Sequence, residues 1–406
     1  MQPVYLDNNA TTAVAPEVRE AMEPYFTAEY FNPSSAYDRA SPTSHAITRA
    51  RETVARFLGG VGPAEILFTS CATESLNAAL YGAVRANPSR RHVVTTAVEH
   101  PAVYEVCKDL GRSGLEVTFL PVDRAGNLDL RTFIQGLRPD TLIVAVMHAN
   151  NETGVIFPVE QLARITKETD PAILFLTDAT QTAGKLPLDL CGALRHVDLL
   201  AFSGHKLHAP KGVGALFVRR GTPLRPFLIG GHQEGGRRAG TENVPYIAGL
   251  ARAVDLAQEE HAAVEARIRR LRDRLETGLL ACIPCVEVNG QAAPRLPNTS
   301  NISVHFIEGE GILYQLNEHG ICASSGSACT SGSLEPSHVL QAMHVPFTAV
   351  HGSVRLSLGR YNTDEDVDRA LEVFPRIVAN LRRLSPYWDP VHDRPRPEAA
   401  AMMQGT

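Results

Sequence analysis

A chain of 406 residues is too long for one small core and predicts two domains of unequal size. With 44% hydrophobic residues, 20% charged residues and a net charge of −5, it reads as an ordinary globular chain with no electrostatic footprint for nucleic acid or an anionic membrane. No apolar stretch approaches the roughly 20 residues that span a bilayer, the first residues do not read as a signal peptide, and seven cysteines make no disulfide framework, so a reduced, cytoplasmic protein is expected.

Between about residues 50 and 220, short apolar runs alternate with helical patterns. Ile66–Thr69, His92–Thr95, Val117–Leu120, Leu142–Val146, Ala172–Thr177, Asp198–Phe202 and Gly214–Val218 all read as buried strands. This pattern predicts an α/β fold with a mainly parallel sheet covered on both faces. Gly214–Val218 follows the preceding strand so closely that an antiparallel strand is expected there. A long helix is predicted from about Val244 to Leu280, because Leu250, Val254, Leu271, Leu275 and Leu279 recur at helical spacing. It is long enough to carry the chain into a second domain with strands at Asn301–Phe306 and Ser353–Leu358. The expected division is a large domain over 13–264, a smaller α+β domain made of 1–12 and 265–389, and a Pro-, Arg- and Ala-rich tail over 390–406 that is expected to be disordered.

Lys206, in Ser203-Gly204-His205-Lys206, lies 28 positions after Asp178, which ends an apolar run. A strand that delivers a carboxylate, followed by a lone lysine among small polar residues, suits pyridoxal phosphate. The lysine supplies a Schiff-base amine and the aspartate pairs with the pyridinium nitrogen. Ligands of parallel sheets bind beyond the carboxyl ends of the strands, and polar clusters follow four of these. Thr69–Ser75 offers backbone N–H groups and the Thr73 hydroxyl to a phosphate, or is a plain helix cap. His100 is placed to stack on a pyridine ring, or caps a helix. His148–Glu152 offers amides to a phenolic oxygen or a substrate carboxylate, or is turn chemistry. Asp178–Gln181 carries an acid that needs a partner if buried. Lys211 rivals Lys206 but lies in a glycine turn. The glycine-rich run from Gly230 to Thr241 matches neither nucleotide-loop pattern. It reads by default as a flexible loop, whose arginines and Thr241 are able to reach a phosphate from a neighbouring subunit.

Cys329 sits at the centre of Ala323–Ser333, a run of small residues with no bulky side chain to pack against. A thiol so placed is a candidate nucleophile. A metal site built from Cys282, Cys285, Cys322 and Cys329 is the competing account, weakened by the seven-residue spacing of the second pair.

Tyr5–Thr12, Cys71–Ser75, His148–Glu152, Ser203–Gly214 and Ser324–His338 together resemble the cysteine desulfurases, particularly the nitrogen-fixation (NifS-like) type, from Tyr5 to about Trp388. The resemblance implies fold type I of the pyridoxal phosphate enzymes (aspartate-aminotransferase-like), with a seven-stranded sheet in the large domain, and a homodimer. It implies conversion of L-cysteine to L-alanine, with sulfur passed to an acceptor such as an iron–sulfur scaffold for nitrogenase. The family's Schiff-base lysine falls on Lys206, its pyridinium partner on Asp178 and its phenolate partner on Gln181. Phosphate contacts fall on Ala72, Thr73, Ser203 and His205, with Gly204 beside them and Thr241 arriving from the other subunit. The stacking residue, with a part in catalysis, falls on His100. Asn151 and Arg355 match positions holding the substrate carboxylate, and Cys329 matches the persulfide carrier, with a transient iron–sulfur contact there as a lesser expectation. The sequence departs from the family at Phe31, Tyr37 and Ala40, where Gly, His and Gly are common. Other readings of the residues are a selenocysteine lyase or aminotransferase on the same cofactor, and a non-catalytic sulfur or iron–sulfur carrier.

Overall fold

A computed structural model describes residues 3–325 and 336–404. Its central sheet contains β2 (Ile66–Thr69), β3 (His92–Thr96), β4 (Glu116–Leu120), β5 (Thr141–Ala145), β6 (Leu174–Asp178), β7 (Leu199–Ser203) and β8 (Gly214–Val218); β1 (Val4–Tyr5) lies elsewhere. The strand order is β2-β8-β7-β6-β5-β3-β4. Pairs from β4 through β7 are parallel, and β8 runs antiparallel to both β2 and β7, as its short connection predicts. Every residue of β2, β3, β5, β6, β7 and β8 is buried, which is why they read as continuous apolar runs with no alternation. Period-two geometry still divides them. Phe68, Val94, Val144, Phe175, Leu200 and Phe217 feed one core, while Leu67, Val93, Ile143, Leu176, Leu199 and Leu216 feed the other.

Helices α1 (Ala72–Ala86) and α2 (Pro101–Arg112) follow β2 and β3. Helix α3 (Val244–Cys282) starts with the Asn243 side chain accepting from the Tyr246 N–H. Its first half places Val244, Ile247, Leu250 and Val254 against the large sheet. Its second half places Ile268, Leu271, Leu275 and Leu279 in a separate core. That core is completed by β9 (Val286–Val288), β10 (Thr299–Val304), β12 (Ser353–Ser357), which form an antiparallel sheet in the order β12-β10-β9, and by α4 (Asp364–Leu384). Leu6 joins it because β1 pairs in parallel with β11 (Ile321–Cys322). Val339, Leu340, Met343 and Val350, in sequence part of the smaller unit, pack in the core of the large sheet. No helix among the described residues is long and apolar enough to cross a membrane.

The C-terminal stretch differs from expectation. Disorder was predicted from about Pro390, yet β13 (Trp388–Asp389) pairs with β14 (Arg394–Pro395), and α5 (Pro397–Gln404) follows. The physical reason is a single anchor that average composition hides. Trp388 is buried with Phe306 and Ala399, and the Arg382 guanidinium lies 3.9 Å from the centre of its ring.

Candidate active site

The carboxyl ends of β3, β5, β6 and β7 open into one cavity of about 360 Å³. Its lining includes Ala72, Thr73, His100, Asn151, Asp178, Gln181, Ser203, His205, Lys206 and Arg355, so ten residues singled out from widely separated motifs share one surface. Three do not join them. Gly204 is buried in the turn before Lys206, where an added Cβ would come within 2.9 Å of the Ala209 Cβ. Thr241 is exposed and does not line this cavity. Cys329 lies outside the described residues.

Lys206 ends the short 3-10 turn Gly204–Lys206 after β7. Its Nζ donates to the carbonyls of Asn9 at 2.6 Å and Ala10 at 2.7 Å. Asp178, the last residue of β6, is buried and accepts from the Thr180 N–H at 2.9 Å. Gln181 donates through Nε2 to Asn9 O at 3.1 Å. His100 lines the cavity, and its Nδ1 accepts from the Ala102 N–H at 3.1 Å as the cap of α2. Burial holds its pKa below the usual histidine range, so the ring is neutral near pH 7, with its proton on Nε2.

The start of α1 forms the opposite wall. Ala72 N–H donates to Ser203 Oγ at 2.7 Å, tying the helix terminus to the end of β7. His205 meets Thr11 Oγ1 at 3.1 Å, and burial, with the charges of Lys206 and Lys211, pushes its pKa down to about 4. The positive end of the helix dipole, the Thr73 hydroxyl and the Ser203 hydroxyl make this wall suited to a phosphate. Arg238 of the glycine-rich run pairs with Glu74, in the first turn of the same helix, at 2.8 Å.

Arg355 reaches the cavity from β12 and is 2% exposed. Asn151 accepts from it through its backbone carbonyl at 3.1 Å. Asn151 Oδ1, Thr180 Oγ1, Gln181 Oε1 and Arg355 Nε are buried without a hydrogen-bond partner, and all four residues line the cavity. Buried polar groups are nearly always paired, so this surface suits a polar occupant. With a lysine amine, a carboxylate and a helix terminus on its walls, the donor set fits pyridoxal phosphate.

Sequence reasoning did not assign a role to Asp7, Asn9, Ala10, Met147 or Thr180, of which all but Asp7 line the cavity. The signal for the first three was present in Tyr5–Thr12, a polar stretch in which Asn8–Ala10 form a turn closed by Ala10 N–H donating to Asp7 O at 3.0 Å. Asn9 is 1% exposed and donates to Asn151 O and Thr299 Oγ1, at 3.1 and 2.9 Å.

A sheet of this order with a lysine and an acid at its strand ends defines a class. The family model for class-V aminotransferases matches residues 4–370. A cysteine desulfurase of Trichormus azollae is 55% identical over 390 residues, covering 95% of this chain and 96% of that protein. The cysteine desulfurase NifS of Azotobacter vinelandii is 52% identical over 396 residues, covering 97% and 98%. A solved NifS-like protein superposes with a TM-score of 0.87 at 40% identity, over 94% of this chain and 100% of that one. The chain belongs to the class-V aminotransferase family, as one of its NifS-like cysteine desulfurases. Cysteine desulfurases of this family depend on pyridoxal phosphate.

Proposed function

We propose that this chain binds pyridoxal phosphate through Lys206, converts L-cysteine to L-alanine, and passes the sulfur by way of a persulfide on Cys329 to an iron–sulfur scaffold. The observation that carries the reading is the convergence of Lys206, Asp178 and Arg355 on one cavity from β7, β6 and β12. When bound, the cofactor supplies an electron sink for the substrate Cα.

The chain's own residues have separable tasks in this reading. Arg355 and Asn151 hold the substrate carboxylate. Asp178 holds a proton at the ring nitrogen, His100 stacks on the ring, and Gln181 donates to the phenolic oxygen. Ala72, Thr73, Ser203 and His205 hold the phosphate, joined by Thr241 of a second copy in a homodimer. The Lys206 amine would hold the cofactor and, when free of it, would take the Cα proton. The Cys329 thiolate attacks the substrate sulfur, so that the new S–S bond forms as the C–S bond breaks. The carbon skeleton leaves as alanine after Cβ takes up the proton that the Cys329 thiol gave up and Cα regains the one it lost.

A role in nitrogenase maturation rests on the 52% identity to the NifS protein. A reducing, cytoplasmic setting is consistent with Cys71, Cys107, Cys191, Cys282, Cys285 and Cys322 all being unpaired thiols.

The test is Cys329→Ala. The variant keeps the cofactor's visible absorption and loses alanine production from L-cysteine; wild-type turnover would remove Cys329 from the mechanism. A keto acid added with L-cysteine stays unconsumed, whereas a transaminase would use it up.

A further inference from the structure

The guanidinium of Arg355 is already held on two sides. Nη2 donates to Asp7 Oδ1 at 2.8 Å and Nη1 donates to Asn151 O at 3.1 Å, while Nε is buried without a partner. Both ends of the ion pair stand on rigid backbone. Asp7 bridges to Ser357 beside β12, where Ser357 N–H donates to Leu6 O at 2.7 Å, Asn8 N–H to Ser357 O at 3.1 Å, and Asn9 N–H to Ser357 Oγ at 2.9 Å. Arg355 is paired with Asn301 on β10 and exchanges backbone hydrogen bonds with Ser324 on its other side.

The pair is largely shielded from water, with side-chain exposures of 3% for Arg355 and 19% for Asp7. Desolvation offsets much of the attraction in such a pair, so stability alone is a weak reason for it to exist. Its geometry has a consequence for a ligand. A guanidinium presents its donors in one rigid plane, so engaging two of its nitrogens leaves it a single orientation. Its charge is also balanced by Asp7, so the guanidinium itself has little surplus positive charge with which to hold a second acidic group.

We propose that Asp7 is a positioning residue that orients Arg355 toward the substrate carboxylate and restricts the site to amino acids with one acidic group. This rests on the reading of Arg355 as the carboxylate holder, and the two can fail separately.

In the holoenzyme, Asp7→Asn should raise KM for L-cysteine about tenfold, the scale of a charge-assisted hydrogen bond, with kcat changed by less than about twofold. The dissociation constant of L-alanine, read by titrating the cofactor absorption, should rise in parallel. L-Aspartate should bind the native enzyme far more weakly than L-alanine and should gain ground on it in the variant. L-Alanine binding that is unchanged or tighter in Asp7→Asn, with L-aspartate gaining no ground, overturns the proposal. If Asp7→Asn does not fold, Asp7→Glu carries the test: it keeps the carboxylate and must keep L-aspartate far weaker than L-alanine. Arg355→Gln separates the two readings. If that variant leaves KM unchanged, the role of Arg355 fails; if it raises KM while Asp7→Asn does not, only the role of Asp7 fails.

Discussion

Gln181 and Lys206 donate to the same carbonyl: Gln181 Nε2 and Lys206 Nζ reach Asn9 O at 3.1 and 2.6 Å. The amine assigned to cofactor chemistry is therefore aimed by the N-terminal segment as well as by its own turn. Lys206→Ala should lower alanine production by about 10²–10⁴-fold, the usual range for a group that moves a proton. Lys206→Arg should not restore it, because a guanidinium keeps the hydrogen bonds but does not give up its proton. Steady-state assays on folded variants check this; an active arginine variant contradicts it.

His148 makes a pH prediction. Burial pushes its pKa down to about 4, from an ordinary value near 6.5, so between these values the unfolded chain binds a proton that the native chain does not. The stability this gives is complete above about pH 6.5 and is lost as pH falls toward 4, with a slope of up to about 1.4 kcal/mol per pH unit. Melting curves of His148→Asn across that window should slope less steeply than those of the native protein. Equal slopes would remove His148 as a source of acid sensitivity.

Leu275 is fully buried in the core that the second half of α3 shares with α4 and the small sheet. Leu275→Ala should cost about 2–5 kcal/mol through lost contacts and an incompletely closed cavity. Urea unfolding monitored by circular dichroism measures this, and a loss under 1 kcal/mol would mean that the core around α3 collapses to fill the gap.

Trp388 holds the C-terminal hairpin and α5. Trp388→Ala should release residues 390–404 to limited proteolysis while leaving cofactor absorption intact, since Trp388 packs with Phe306 and Ala399 and does not line the active cavity. Unchanged protease resistance there would show that the anchor lies elsewhere.

Much of the fold was legible because burial on both faces leaves a direct mark on sequence. Strands such as Leu199–Ser203 had to be apolar throughout, and α3 had to repeat leucines on one side. The short strands β1, β9 and β11 leave no such mark, because two or three residues carry no period. The order of the tail is invisible to composition for a related reason. Its order depends on Trp388 finding Phe306, a contact across some eighty residues that composition does not record.

The sequence by itself determined the chemical inventory: a lysine and an acid at the right strand ends, capping and phosphate-binding motifs, and a thiol among small residues. Tertiary structure alone decided which of these meet. Arg355 comes within hydrogen-bonding distance of Asp7 and Asn151, more than two hundred residues away in both cases, because β12 and the N-terminal segment are paired beside the large sheet's strand ends. Side-chain chemistry is local and is written residue by residue. Proximity arises from backbone pairing and packing summed over the whole chain, and so nothing near Asp7 in the sequence reveals that Arg355 rests on it.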